Sequence, residues 1–455
     1  MQEINLKPNV LFIVIDSLRA DKIFGKQKTS VTPNIDNLTK KSAVFSNAFS
    51  CSDGTLSSVT SIFTSKFFFR TGVSIKNNYN LDKDTQSCTK VLQKEGYSTI
   101  GLIQKINFLK HITKNFQNED NTYDYYQNLS QGLGDRIIKK IESFDNKPWF
   151  YYIHINDLHL PNWPSQEFDK KEFGVSRYER VVSQVDYWIG KILNSIDKEN
   201  TIVILTADHG EFVHCVQIDD EIINFEPHSS QKFLRKISKI LPTKVKKSIS
   251  FHIFDRSEKQ TNDKKIKKMN LDLTNSQKRT LLHTRSQLDH YLHDDLIHIP
   301  LIISGPNIKT GKIDDIARTI DIFPTILDLL QIKYNENIDG QSLIPIINGK
   351  KLAESYVYME RDLMLRHSEL DVCGIRTSDY KYFRAVSDST KKNHLYDLKK
   401  DPLEENNIAQ DEIKLVEKME IKLKKIHEGT IKKTNNDLDE HDEKIKEELR
   451  KLGYL

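Results

Sequence analysis

Four residues could act together on one divalent cation and on an ester bound to it. Asp16 closes the apolar run Val10–Ile15, and Asp208-His209 close a second run in TIVILTADHGE. Two carboxylates and an imidazole on two strand ends can converge on a single ion. Such oxygen and nitrogen donors suit Mn²⁺, Zn²⁺ or Mg²⁺ rather than a soft metal. Each piece alone also has a plain structural reading, Asp16 as a helix cap and Asp208–Gly210 as a turn. The fourth residue lies in Ser50-Cys51-Ser52-Asp53-Gly54-Thr55-Leu56-Ser57-Ser58, a hydroxyl-rich stretch that opens a helical pattern. A Thr at a helix start beside a cation is a workable nucleophile. The cation lowers the hydroxyl pKa, and helix-end N–H groups bind the anion under attack. A Ser/Thr cluster before a helix is more often only a cap.

Histidines supply the remaining chemistry. In Tyr151–Pro161, His154 lies inside a strand pattern, where a packed, hydrogen-bonded ring is the expectation. His159 falls in the loop beyond that strand and is a candidate acid or ester-binding group. His290 and His293 precede Asp-Asp-Leu-Ile-His-Ile-Pro, and the family resemblance given below favours His290 for a similar role.

These groups need a scaffold that places strand ends side by side. Short buried runs at Val10–Ile15, Ser98–Ile103, Trp149–Ile155, Thr201–Thr206 and Ile299–Ser304 read as strands of a parallel sheet covered on both faces. Helical patterns over Asn34–Ser42, Ser57–Thr64, Thr89–Glu95, Tyr178–Ile196 and Ile320–Leu330 alternate with them. The expectation is an α/β fold with a large, mostly parallel central sheet flanked by helices. Ligands of such sheets bind at the carboxyl ends of the strands. Residues 1–349 form the expected catalytic domain, interrupted at about 211–290 by a basic insert. Residues 350–455 form a smaller α+β domain with strands at Ser355–Met359, Gly374–Arg376 and Tyr380–Ala385, ending in a charged helical tail.

Composition narrows the classes. The chain has 455 residues and a formal net charge of +4, with 37% hydrophobic residues, 21 Phe and 17 Tyr. That is enough apolar material for a large core and excludes global disorder. The near-neutral balance argues against a nucleic-acid binder. Four cysteines without a CxxC pair or a Cys/His cluster argue against a disulfide framework or a cysteine-built zinc site. No stretch has the length of a signal-peptide core or a membrane span, so a cytoplasmic protein is expected.

NVLFIVIDSLRAD, then TPNIDNL and FSNAFS, resembles the opening of the sulfatase branch of the alkaline phosphatase superfamily. DLHLP, VDYWIGKI, TIVILTADHGE, LIHIPLIISGP, DIFPTILDLL with DGQSL, and HLYDLKKDPLEENN follow in the same order. The resemblance covers 9–210 and 291–408. It implies a large α/β domain, a smaller C-terminal domain with a four-stranded sheet, and metal-assisted displacement at a sulfate or phosphate ester. By position it makes Asp16, Asp208 and His209 metal ligands. It puts the nucleophile at Thr55, also beside the metal, using Ser61–Ser65 as the anchor.

The chain departs from that pattern at two places. Sulfatases carry Cys-x-Pro/Ala-x-Arg, with the Cys oxidised to formylglycine, where this chain reads Thr55-Leu56-Ser57-Ser58-Val59. The second acid of the family's opening Asp-Asp pair is Ser17, which points to one metal ion. Thr at the nucleophile position is similar to the phosphoethanolamine and phosphoglycerol transferases. Formylglycine hydrate has a second hydroxyl that expels sulfate, and Thr does not. A phospho-Thr intermediate is open to in-line attack. The resulting expectation is a phosphodiesterase or phosphotransferase acting on a phosphorylated glycan, or on a lipid-linked or nucleotide-activated substrate. Two alternatives stand beside it: a sulfatase lacking formylglycine, and an inactive binding relative. Finally, Lys232–Leu241 patterns as a cationic amphipathic helix, so residues 231–250 are expected to touch an anionic membrane surface.

Overall fold

Val10–Ile15 offers no polar face to solvent, and the chain buries every one of these side chains at the centre of a sheet. The computed structural model describes residues 7–225, 262–282 and 292–428, apart from 27, 126, 146, 161, 219–220, 263, 270, 335–336, 352–355 and 366–370. Along the chain the strands are β1 (Asn9–Ile15), β2 (Ala43–Phe49), β3 (Ser98–Gln104), β4 (Thr122–Tyr123), β5 (Trp149–Ile155), β6 (Thr201–Thr206), β7 (Cys215–Ile218) and β8 (Glu221–Asn224). After these come β9 (His298–Ser304), β10 (Gly311–Arg318), β11 (Val357–Glu360), β12 (Val372–Arg376), β13 (Tyr380–Ala385) and β14 (His394–Asp397). The helices used below are α1 (Pro33–Thr39), α2 (Thr55–Thr64), α3 (Cys88–Lys94), α4 (Leu133–Glu142), α5 (Arg177–Asn194), α6 (Asn275–Leu282), α7 (Ile322–Leu329) and α8 (Ile413–His427).

The large sheet has eight strands in the order β10-β2-β9-β6-β1-β5-β3-β4. β1 lies between β5 and β6, parallel to both. β9 is antiparallel to β6 and to β2, while β2 and β10 are parallel to each other. Thus β9 runs against the other described strands. The consequence is positional. The carboxyl ends of β1, β2, β5 and β6 and the amino end of β9 all fall on one edge.

Several motifs of the sequence prove to be partners in packing. In VDYWIGKI, Asp186 of α5 accepts hydrogen bonds from Ile35 N (2.7 Å) and Asn34 N (3.2 Å), capping α1, which holds the TPNIDNL motif. Pro33 opens that helix at the position where a missing N–H costs nothing. α5 itself starts with a capping box between Ser176 and Glu179. In DIFPTILDLL, Asp321 binds Arg318 and accepts from Gln341 N (2.9 Å) of the DGQSL motif.

By compactness the chain divides into two units. The first comprises 1–210, 293–363 and 375–378, and the second 211–292, 364–374 and 379–455. The segment expected as an insert in the first domain therefore groups with the C-terminal residues. Within the second unit, β7 and β8 form an antiparallel pair. Ile223, Phe225, Leu273 and Leu281 close a small apolar cluster. Ser276 of α6 donates to Glu405, and Arg279 donates to Leu403 O (3.0 Å), which ties the segment to the C-terminal chain. α8 buries Met419, Leu423 and Ile426 on one face. A four-stranded sheet, β11-β12-β13-β14, completes the C-terminal part. Residues 231–250 lie outside the described residues, as does the charged tail from 429. Among the described residues no helix is long and apolar enough to cross a membrane.

Candidate active site

Asp16 follows β1 and Asp208-His209 follow β6, and these two strands are neighbours. Their ligand atoms lie within 4.8 Å of one another, and all three side chains are buried. Asp208 Oδ2 stands 3.4 Å from His209 Nε2, and Asp16 Oδ1 stands 3.9 Å from the same nitrogen. The His209 ring is oriented by its other nitrogen, with Nδ1 2.9 Å from Gly210 O. A carbonyl can only accept, so Nδ1 carries the proton and Nε2 turns its lone pair to the carboxylates.

Thr55 is the first residue of α2, after Gly54 as N-cap. Its Oγ1 is 3.2 Å from Asp16 Oδ2 and 3.2 Å from His209 Nε2. The hydroxyl therefore points into the acidic cluster. Distant chain holds it there. Asp362 Oδ2 accepts from Ser57 N (2.7 Å), and Asp53 Oδ1 accepts from Asp362 N (2.7 Å). A Cβ on Gly54 would lie 2.5 Å from Asp362 Cβ, so glycine is required for this close approach. Val59, at the place of the family's Arg, is fully buried and apolar. Cys51 is buried, and burial pushes its thiol up to about 12, so it is an inert group and not a displaced nucleophile.

Ser17 occupies the place of the second acid. Its φ is +64°, a left-handed conformation that costs a non-glycine residue on the order of 1–2 kcal/mol. The strain is used: Ser17 N donates to Asp208 Oδ1 (3.2 Å) and Ser17 Oγ donates to Asp16 Oδ1 (2.7 Å). Hydrogen bonds to both carboxylates replace a third carboxylate.

His154 is the residue that sequence reasoning passed over. It faces the same side of β5 as Tyr152, is fully buried, and sends Nε2 to 3.6 Å from Asp208 Oδ2 and 3.7 Å from Asp16 Oδ2. Those distances exceed a hydrogen bond. His154 Nε2 and Asp208 Oδ2 are both without a hydrogen-bond partner among the described residues. The ring is packed and hydrogen-bonded as expected, through Nδ1 to Tyr152 Oη (3.2 Å), but its other nitrogen faces the two carboxylates. A signal was present: a single imidazole in WFYYIHI, one residue before the strand end.

Electrostatics follow from this crowding. Burial pushes Asp16 up, but His154, His209 and His159 more than offset it and hold the carboxyl far below its ordinary range. Asp208 is also lowered: burial and Asp16 push it up, and His209 and His154 win. Burial favours neutral His154, yet Asp16 and Asp208 raise its pKa to about 9. Two orphaned buried atoms, two carboxylates kept ionised and an imidazole lone pair form a donor set that fits a divalent cation.

The other candidates are placed as follows. His159 lies in the turn after β5, with Nε2 3.2 Å from Tyr125 Oη, and it is near enough to lower Asp16. His290 lies outside the described residues. His293 is buried and heads the helical turn Asp294–Ile297 before β9. The two acids of that turn are neutralised structurally, Asp295 by Arg19 (2.6 Å) and Asp294 by Arg376 (3.2 Å). Lys105, directly after β3, is an exposed cation at the ligand edge that the sequence reading did not single out.

Fold and site together define an alkaline-phosphatase-like α/β hydrolase with a buried Asp/Asp/His cluster at the strand ends that could hold a metal ion. The match is specific: the family described as Sulfatase covers residues 8–332, and the C-terminal region described as N-sulphoglucosamine sulphohydrolase covers 288–429. The chain belongs to the sulfatase family. It is 23% identical over 528 aligned positions to N-acetylgalactosamine-6-O-sulfatase of Bacteroides thetaiotaomicron, covering 91% of this chain and 92% of that protein. It is 22% identical to mouse arylsulfatase K, covering 75% of this chain and 58% of that one, so it spans little more than half of that relative. A solved structure in complex with D-glucosamine-2-N,6-O-disulfate as its substrate matches with a TM-score of 0.66 at 18% identity, over 94% of this chain and all of that one (100%). These relatives are named for sulfate esters. The preference for phosphate esters and transfer drawn from Thr55 therefore finds no support in them, and the sulfatase alternative fits better.

Proposed function

We propose that the protein hydrolyses a sulfate ester on a sugar, using Thr55 in place of formylglycine. The observation that carries this reading is the position of Thr55 Oγ1, within 3.2 Å of both Asp16 and His209 at the start of α2. A sulfated sugar is chosen because the relatives are named for such substrates.

Thr55 Oγ attacks sulfur, giving up its proton to Asp16 Oδ2, 3.2 Å away, and the bond from sulfur to the sugar oxygen breaks. His159, in its protonated form, gives a proton to the leaving oxygen. Water then attacks sulfur, giving a proton to the now neutral His159, the bond from sulfur to Oγ breaks, Oγ takes back the proton held by Asp16, and Thr55 is regenerated with sulfate released. A bound divalent cation would lower the hydroxyl pKa and offset charge on the ester oxygens. Asp16, Asp208 and His209 would hold it. Thr55 N and Leu56 N at the start of α2 would face the anion, Ser57 N being bound by Asp362.

Phosphoryl chemistry is kept as a second reading for one reason. Thr55 has a single hydroxyl, so its covalent ester must be cleared by external attack, which phosphorus accepts more readily. Matched aryl and sugar sulfates, phosphate monoesters and phosphate diesters, each with Mn²⁺, Zn²⁺, Mg²⁺ and Ca²⁺, form the test. Hydrolysis of sulfates above phosphates by wild type, lost in Thr55→Ala, is the expected result. Turnover of phosphodiesters alone would establish the second reading, and turnover of nothing would reject both.

A further inference from the structure

We infer that His154 is a fourth protein ligand of the metal centre, making it a two-carboxylate, two-imidazole site that selects a first-row transition ion over Ca²⁺. The inference rests on the metal site proposed above and extends its ligand set.

Geometry supplies the first support. Four donor pairs surround one gap: Asp208 Oδ2 to His209 Nε2 at 3.4 Å, Asp208 Oδ2 to His154 Nε2 at 3.6 Å, Asp16 Oδ2 to His154 Nε2 at 3.7 Å and Asp16 Oδ1 to His209 Nε2 at 3.9 Å. Ligands bonded at about 2.0–2.1 Å in a tetrahedral shell stand about 3.4 Å apart. Donors that only hydrogen-bonded to each other would close to about 2.7–3.2 Å. The spacing fits atoms arranged around an ion after a small contraction.

Second, the two rings are prepared in the same way. His209 has Nδ1 on Gly210 O and Nε2 toward the carboxylates. His154 has Nδ1 3.2 Å from Tyr152 Oη and Nε2 toward the same carboxylates. With Tyr152 Oη accepting from Nδ1, the tautomer leaves His154 Nε2 as a ligand, as Gly210 O does for His209. Tyr152 is buried two residues before His154, so alternation along β5 puts the partner on the correct face.

Third, burial without a partner demands an explanation. His154 Nε2 and Asp208 Oδ2 are buried polar atoms with no hydrogen bond among the described residues. An unsatisfied buried polar group costs about 1–3 kcal/mol. One ion placed between them would satisfy both at once. Ser17 in place of a carboxylate removes a hard oxygen from the site, and His154 contributes a nitrogen. Nitrogen donors disfavour Ca²⁺, which takes oxygen ligands, and suit Mn²⁺ and Zn²⁺.

The test counts nitrogens on the ion. Full-length protein loaded with Mn²⁺, with ¹⁵N-labelled or unlabelled histidine, is measured by pulsed EPR. Two directly coordinated imidazoles are expected in wild type, and one in each of His154→Gln and His209→Gln. By calorimetry, His154→Gln should weaken Mn²⁺ and Zn²⁺ at least tenfold and leave Ca²⁺ within about threefold. The wild-type count needs no variant to fold, so it stands even where a substitution in β5 fails. One imidazole in wild type, unchanged in His154→Gln, overturns the inference and leaves the three-residue site intact. No bound Mn²⁺ in wild type overturns the metal site itself.

Discussion

The two halves of the site are built on different kinds of support. The cation half, Asp16, His154, Asp208 and His209, sits at or just beyond the ends of β1, β5 and β6, adjacent strands whose backbones are locked by the parallel ladder. The ester half, Thr55 to Val59, sits on the first turn of α2, held from about three hundred positions away by Asp362, with a sequence separation of 305 from Ser57. The first half has Ser17 in place of one acid of the family pattern and has an additional buried imidazole, His154, beside its carboxylates. The second half has lost the Cys, Pro and Arg of the family pattern. A site on a sheet edge has each ligand placed by a ladder that many other residues enforce. A site on a helix start depends on a few capping contacts and can be rebuilt by a few substitutions.

The sharpest way to break the contrast is to remove a strand-end ligand. Asp208→Ala should abolish stoichiometric Mn²⁺ or Zn²⁺ binding, a loss of at least a hundredfold in affinity by calorimetry. It should also abolish turnover, because it takes the cation with it. Thr55→Ala should separate the halves. Turnover should fall by a factor on the order of 10³ or more, while metal affinity stays within about tenfold, since only one hydroxyl leaves the cluster. Equal losses of binding in both variants would show that the halves are one unit.

A smaller effect is expected at the helix start. Asp362→Ala removes the carboxylate on Ser57 N and should cost about 0.5–2 kcal/mol in denaturant unfolding, as for a lost helix cap, with metal affinity unchanged. A further effect concerns pH. Burial raises the Asp157 carboxyl to about 7, partly opposed by its hydrogen bonds from Leu129 N and Gln184. An acid with a raised folded-state pKa binds more protons folded than unfolded, so stability is lost as pH rises from about 4 through about 7. Asp157→Asn should remove that decline, gaining stability at pH 8 relative to wild type and nothing at pH 4. Parallel stability profiles for the two proteins would exclude the assignment.

Much of the fold was legible because its signals are local. Trp149–Ile155 and Thr201–Thr206 are apolar throughout and become β5 and β6 with the expected bounds. β2 and β10 were not anticipated. AVFSNAF and GKIDDIAR mix polar and apolar residues, and β10 is an edge strand whose register slips between Ile313 and Ile316. The grouping of Asp16, Asp208 and His209 was legible because each closes or follows an apolar run. His154 was not, because its role depends on which strands are neighbours, and that is decided by pairing across 140 residues or more of chain. Asp362 was invisible for the same reason. The motif order was informative for the family yet mixed in meaning, since VDYWIGKI and DGQSL turn out to serve helix capping and packing rather than ester chemistry.

The reversed direction of β9 has a topological consequence. Because β9 is antiparallel to β6, the chain leaves the sheet at the ligand edge after Asp208 and comes back to that edge at His293. Gly210 N donates to Leu296 O at 2.7 Å and staples the exit to the return. The intervening stretch, 211–292, is therefore a detour whose two ends are already joined. Doubling the length of a closed loop costs only about 0.6 kcal/mol. A change of length within this detour is thereby kept from the strands that carry Asp16, Asp208 and His209, because the chain is already pinned where it leaves and returns.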